Sequence, residues 1–315
     1  MLPKLKDIQE AHDRIRGFIH RTPVMCSQQI NEQLGAEIYF KCENLQKAGA
    51  FKYRGAVNSL LSLTKEEASN GVGTHSSGNH AGALAKAARL LGIAAHIVMP
   101  ENSPAVKKKA VASYGAAIHY CKPTLEARES SMDKLMLETG CTFIHPFDRF
   151  EIIAGQGTAV LELLEDYPDL DIVMTPVGGG GLLSGTAIAA KGINPEILVW
   201  AGEPTGANDA WESFKSGKFT PSVDPQTMAD GLLTSLGELT FEAIQSHVDD
   251  ILLCDEKNIA AAMRLIWERM KIVIEPSSAV PLGAMMQNQE YWKEKKIGII
   301  LSGGNVDLGN LPFNS

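Results

Sequence analysis

The 315-residue sequence has no block of basic residues longer than Lys107-Lys108-Lys109, and its formal net charge is −8. Binding a phosphate backbone needs a concentrated Lys/Arg footprint, so no nucleic-acid partner is expected. The three lysines, just after Pro104, read as a solvated helix face. No apolar run approaches the roughly 20 residues of a membrane span, so no membrane partner is expected either. Met1 to Glu10 is charged from Lys4 onward and lacks the apolar centre of a secretory signal. The five cysteines (Cys26, Cys42, Cys121, Cys141, Cys254) are scattered, odd in number and without a C-x-x-C pair. That pattern suits reduced thiols and predicts a cytoplasmic protein. Internal repeats and low-complexity segments are also missing.

What remains is an ordinary globular composition, 44% hydrophobic and 21% charged, long enough for a sizeable core and two domains. Between Lys6 and Gly17, Ile8, Ala11 and Ile15 fall at helical spacing, and His20-Arg-Thr-Pro23 breaks the pattern. Ile38–Lys41 is β-prone, and Arg54–Leu63 is helical in pattern. After Asn70-Gly71, strands at Val72–His75, Ala95–Met99, Ala116–Tyr120 and Thr142–His145 alternate with helices at His80–Leu91, Ala105–Tyr114 and Leu125–Glu138. Such alternation predicts parallel β-α-β units and an α/β fold. It resumes with a helix Ala154–Leu164, a strand Asp171–Val177, a helix Leu182–Lys191 and a strand Leu198–Ala201. Glu203 to Gly231 is too long for an ordinary connection and predicts a functional loop or short structure of its own. Asn258–Met270 reads as a helix and Ile297–Leu301 as a buried strand. Residues 71–148 are assigned to a small domain inserted in a large one formed by 1–70 and 149–315.

Several residues could carry chemistry. Lys52 follows Phe51, and an aromatic neighbour that strips water from an amine lowers its pKa and frees it as a nucleophile. Lys47 qualifies on the same grounds. Gly178, Gly179, Gly180 and Gly181 lie between a strand and a helix, where backbone N–H groups surround an anion, although a tight turn would look the same. The run is neither G-x-G-x-x-G, since Leu183 replaces the third glycine, nor a P-loop, since it has no lysine. Ser302 ends a strand, where open α/β sheets place ligand contacts. Ser76-Ser77-Gly78-Asn79-His80 opens a helix and offers donors to a carboxylate, or simply caps the helix. Glu203 and Asp209 bracket carbonyls that a hard cation would accept, or belong to a solvated loop.

In this order, Lys52 with its flanking stretch, Ser76–His80, Gly178–Gly181 and Ser302-Gly303-Gly304-Asn305 resemble the fold-type II enzymes of pyridoxal 5′-phosphate (PLP), the tryptophan synthase β-like group. Within it they are similar to the serine racemase and serine/threonine dehydratase branch, from about Thr22 to Asp307. The resemblance implies two open, mostly parallel twisted sheets with flanking helices, bound PLP, a small hydroxy-amino-acid substrate and a homodimer. It makes Lys52 the cofactor-bearing lysine and catalytic base, beside Phe51, and the four glycines the phosphate cup. Asn79 would bind the cofactor's phenolic oxygen and Ser302 its pyridine nitrogen. A neutral serine there leaves that nitrogen largely unprotonated, which disfavours transamination relative to elimination at Cβ. Ser76, Ser77, Asn79, His80 and Arg128 would bind substrate, and Ser77 would face Cα opposite Lys52 as a second catalytic group. Glu203, the Ala207 carbonyl and Asp209 match positions that hold Mg²⁺, with Ca²⁺ or Mn²⁺ as alternatives.

The activity implied is serine racemisation with serine/threonine dehydratase activity. A dedicated serine, threonine or 3-hydroxyaspartate dehydratase is the alternative, because some of those enzymes also carry a serine at the Ser77 position, whereas many threonine dehydratases have alanine. Phe147 stands where animal serine racemases have asparagine, and Gly82 replaces a glutamine that helps them bind ATP, although Tyr114 matches a neighbouring contact. Cysteine synthase-type enzymes carry Thr-Ser-Gly-Asn-Thr in the substrate loop, which argues against that chemistry here. A non-catalytic ligand-binding protein on the same scaffold would not need the intact lysine, cup and Ser302. Glycines near Gly71 and Gly155 are read as joints for closure over substrate.

Overall fold

The alternation that begins at residue 71 builds one sheet, and chain segments on either side of it build a second. The computed structural model describes residues 1–76, 78–103 and 105–313. Helix α1 (Leu5–Ile15), strand β1 (Val24–Met25), α2 (Gln28–Leu34), β2 (Glu37–Cys42), α3 (Lys52–Leu61) and α4 (Lys65–Ser69) come first. Next are β3 (Val72–His75), α5 (Asn79–Leu91), β4 (Ala95–Pro100), α6 (Ala105–Ser113), β5 (Ala117–Cys121), α7 (Leu125–Thr139) and β6 (Thr142–Phe143). They are followed by α8 (Phe150–Asp166), β7 (Ile172–Pro176), α9 (Gly181–Ile193), β8 (Leu198–Pro204), α10 (Asp209–Ser216) and α11 (Glu238–His247). Strand β9 (Asp250–Cys254), α12 (Glu256–Met270), α13 (Pro276–Gln287) and β10 (Lys296–Leu301) complete the order.

The first sheet runs β5-β4-β3-β6, all parallel; the second runs β1-β2-β10-β7-β8-β9, parallel except for β1. Parallel strands covered on both faces read as continuous apolar runs, and β10 is one, buried from Ile297 to Leu301. Ile300 faces the α8–α9 side of the six-stranded sheet, with Val173 and Leu183, while Ile299 and Leu301 face α12 and α13, with Met174 and Met263. Another cluster joins Tyr53, Ala56 and Val57 of α3 to Leu84 of α5 and Ile97 of β4, so α3 lies against the four-stranded sheet's own helix.

Two sequence expectations need correction. The strand expected at Thr142–His145 stops at Phe143, because the His145 ring nitrogen Nδ1 accepts the backbone N–H of Asp148 at 2.8 Å and turns the chain. Gly155 is no joint: it lies inside α8, where a Cβ would come within 2.6 Å of Gly55 Cα, so it permits close crossing of α3 and α8. Gly71, at φ +81°, is a true turn between α4 and β3. The stretch from Glu203 to Gly231 carries short structure of its own, a 3₁₀ turn at Thr205–Ala207, α10 and the start of another 3₁₀ turn at Asp230–Leu232, whereas α2, α4, α11, β9 and α13 had no expected counterpart.

Ser302, the glycine run, Glu203 and the loops after β3 and β6 all lie at the carboxyl ends of parallel strands, where such sheets bind ligands.

Candidate active site

Lys52 opens α3 at the end of a loop tied to the strand end that carries Ser302. The Phe51 N–H donates to Ser302 O at 2.9 Å, and the Gly304 N–H donates to Gly49 O at 2.9 Å. Lys52 Nζ donates to Pro146 O at 2.8 Å and lies 5.2 Å from the Phe51 ring centre and 5.9 Å from that of Phe147. Burial pulls its pKa down to about 8, and Glu275 partly opposes the shift. Lys47 goes elsewhere: its Nζ donates to Phe18 O at 2.7 Å. Two residues beyond Lys52, fully buried Arg54 forks onto Glu43 and Glu162, with four N–H···O contacts of 2.8 Å. Lys41 adds a 2.7 Å bond to Glu162, so the start of α3 is pinned to β2, α8 and the loop after β2.

The glycine run leads into α9, a 13-residue helix whose first-turn N–H groups have no intrahelical partners. Gly180 caps it at φ +84°, a left-handed conformation that residues with a Cβ rarely adopt. Gly179 and Gly181 lie against Phe147, and a side chain at 179 would occupy the place of its ring. Phe147 thus links the cup to Lys52. Ser302, 2% exposed, sits 3.0 Å from Ser278, Oγ to Oγ, and the Ser278 hydroxyl both accepts from Gly303 N–H and donates to Gly303 O, each at 2.7 Å.

Asn79 starts α5, where it donates to Glu275 Oε1 at 2.7 Å and accepts from Asn305 at 2.9 Å. Glu275 was invisible in sequence as a site residue. Burial, with a contribution from Asp230, pushes its carboxyl up to about 7, against the Asn79 bond. The available signal was Pro276 just after it, since proline favours the first position of a helix. His80 is buried with Nε2 3.3 Å from Ile144 O and Nδ1 unpartnered, and burial and Lys52 hold it well below its ordinary pKa. His145 is likewise pulled down to about 4 by burial, then by His75 and Lys52. Arg128 lies on α7, near enough to His75 to lower its pKa, and its Nε is a buried donor without a partner. Ser76 Oγ accepts from Gly78 N–H at 3.3 Å. Ser77 lies outside the described residues.

Glu203 and Asp209 form a separate acidic cluster. Glu203 Oε1 accepts from Ala210 N–H at 2.9 Å and Oε2 from Trp211 N–H at 2.7 Å, so the side chain caps α10. Burial pushes Glu203 up to about 9 and Asp209 up to about 6. Asp209 Oδ2 is buried without a partner, and Ala207 is buried in the turn between the two acids. No described group of three or more His, Cys, Asp or Glu side chains is placed to hold a metal, so a cation here would depend on carbonyl and water oxygen as well.

The family model of the pyridoxal-phosphate dependent enzymes matches residues 15–303. The chain belongs to this family. A serine racemase from Dictyostelium discoideum is 54% identical over 312 residues, 98% of this chain and 96% of the relative. A beta-hydroxyaspartate dehydratase from Paracoccus denitrificans is 46% identical over 99% of both chains. The crystal structure of the Dictyostelium serine racemase superposes with a TM-score of 0.93, covering 97% of this chain and 99% of that one. The fold is therefore that of the fold-type II PLP enzymes, and this PLP-dependent enzyme has a donor set that fits its cofactor: a desolvated lysine, a glycine-lined helix N-terminus and a buried hydroxyl pair.

Proposed function

We propose that the enzyme interconverts L- and D-serine and also dehydrates serine or threonine to the 2-oxo acid and ammonia. The observation that carries this reading is the convergence of Lys52, Ser302, Asn79 and the glycine cup at facing strand ends. Bound PLP supplies the electron sink that makes a Cα proton acidic. Lys52 Nζ, desolvated between two aromatic rings, takes that proton on one side. Ser77 returns one on the other side for racemisation, and loss of the β-hydroxyl instead gives elimination. The first-turn N–H groups of α5, with Ser76 and the unpartnered Arg128 Nε, receive the substrate carboxylate. Ser302 would hold the ring nitrogen, Asn79 the phenolic oxygen and Gly178–Gly181 the phosphate.

L-serine incubated with the PLP-loaded enzyme and Mg²⁺, with D-serine and pyruvate both measured, tests the scheme. Lys52→Ala should lower both products by roughly 10²–10⁴-fold or more, in line with loss of a general base. Ser77→Ala should abolish D-serine and spare pyruvate; D-serine surviving in that variant would sink the two-sided proton exchange. The second reading, a dedicated serine/threonine or 3-hydroxyaspartate dehydratase, is favoured by Phe147, whose apolar ring lies beside Lys52. Pyruvate without D-serine in the unmodified enzyme would select it.

The same reading assigns Mg²⁺ to Glu203, the Ala207 carbonyl and Asp209, supported by two buried acids that no side-chain cation among the described residues balances. It also takes the protein as a cytoplasmic homodimer whose residues 71–148 form a small domain that closes over substrate. Sedimentation of the holoprotein and small-angle scattering with and without serine check the last two points.

A further inference from the structure

The two serines at the carboxyl end of β10 hold more hydrogen-bond claims than hydrogens. Ser278 Oγ carries one hydrogen and two lone pairs. One lone pair takes the Gly303 N–H at 2.7 Å. Its hydrogen is claimed by Gly303 O at 2.7 Å and by Ser302 Oγ at 3.0 Å. Gly303 O does not need it, because that carbonyl already accepts the Glu275 N–H at 3.0 Å. Two arrangements follow. With Ser278 donating to Gly303 O, the Ser302 hydrogen goes to Ser278, and Ser302 offers only lone pairs to a ligand. With Ser278 turned onto Ser302, the Ser302 hydrogen is released outward as a donor.

We propose that Ser278 is a positioning residue that selects the second arrangement when the cofactor is bound, so that Ser302 donates to an unprotonated ring nitrogen. No proton leaves its oxygen; two O–H bonds rotate. The inference rests on the assignment of Ser302 to the ring nitrogen made above. A donor that itself receives a hydrogen bond is polarised and becomes a stronger donor, so Ser278 strengthens the bond from Ser302 to the ring. The same hydroxyl satisfies the buried Gly303 N–H, which keeps the Ser302–Gly303 backbone in place.

The test is the ¹⁵N resonance of ring-labelled PLP in the holoenzyme. Ser302→Ala should move it towards the frequency of a pyridine nitrogen with no hydrogen bond, and Ser278→Ala should move it in the same direction by less. No shift in Ser302→Ala would remove the underlying assignment. A shift in Ser302→Ala with none in Ser278→Ala, or with a Ser278→Ala shift towards the protonated frequency, would overturn the role of Ser278 alone. If Ser278→Ala does not fold, neutron diffraction on the unmodified holoenzyme decides the matter. A deuteron on Ser278 aimed at Ser302 Oγ supports the inference, and one aimed at Gly303 O overturns it.

Discussion

Two pairs of buried carboxylates in this protein meet opposite fates. Glu43 and Glu162 are 0% exposed and face Arg54 and Lys41, two negative charges against two positive ones. Burial alone would raise Glu162, but Arg54 and Lys41 hold it below the ordinary carboxylate range. Glu203 and Asp209 are nearly as deep, yet Glu203 has only two backbone N–H bonds and Asp209 keeps one oxygen bare. Burial wins there and both rise. The first pair is a closed structural unit under Lys52, whereas the second has no described side-chain cation against it and holds protons that the first pair gives up.

The largest effect should come from opening the closed unit. Arg54→Met leaves two buried carboxylates with one lysine between them, and a loss of about 3–5 kcal/mol is expected from denaturant unfolding of the cofactor-free protein. A loss below about 1 kcal/mol would mean that the pair tolerates being unpaired as well as the acidic cluster does.

The acidic cluster should respond to pH and to cations. The folded Glu203 value of about 9 lies above the ordinary 4.5, so the folded chain keeps a proton that the unfolded chain has lost. Its contribution to stability is therefore full below about pH 4.5 and is lost as pH rises towards 9, and Asp209 adds the same sign between 3.8 and about 6. In chelator, the melting temperature should fall across this window. Mg²⁺ at 100 times its Kd should add about 2.7 kcal/mol where the acids are ionised. Glu203→Gln should remove both the Mg²⁺ gain and most of the pH slope, and identical slopes with and without Mg²⁺ would deny the cluster a cation.

The smallest effect sharpens the contrast from outside the core. Arg21 bridges Glu165 and Asp166 at 2.8 and 2.6 Å, but all three side chains are 40% or more exposed. Arg21→Ala should cost about 0–1 kcal/mol and less in high salt.

The same contrast explains what the sequence allowed to be read. Strands β3, β4 and β10 were legible because buried parallel strands are short apolar runs between turn signals, and the glycine run and Ser302 were legible because they sit at the ends of such strands. Helix α13 was not: it contains Pro281 and is buried nearly all round, so no polar face marks its period. Glu275 and Ser278 were lost with it, since their meaning lies in contacts with Asn79 and Ser302, distant in sequence. The Arg54 cluster was equally hidden, because its four residues are spread from 41 to 162 and each alone reads as surface charge.

The strand order has a consequence for the chain as it is being made. Strand β10 is the last of the ten in sequence, yet it lies between β2 and β7. The four-stranded sheet uses a continuous stretch and can assemble as soon as residue 143 has emerged. The six-stranded sheet cannot complete its strand ladder until residues 296–301 are available, because no other described strand pairs with both β2 and β7. Lys52 emerges about 250 residues ahead of Ser302, and local contacts form ahead of distant ones during synthesis. A nascent chain short of β10 therefore holds Lys52 without Ser302 and without the strand that lies between β2 and β7.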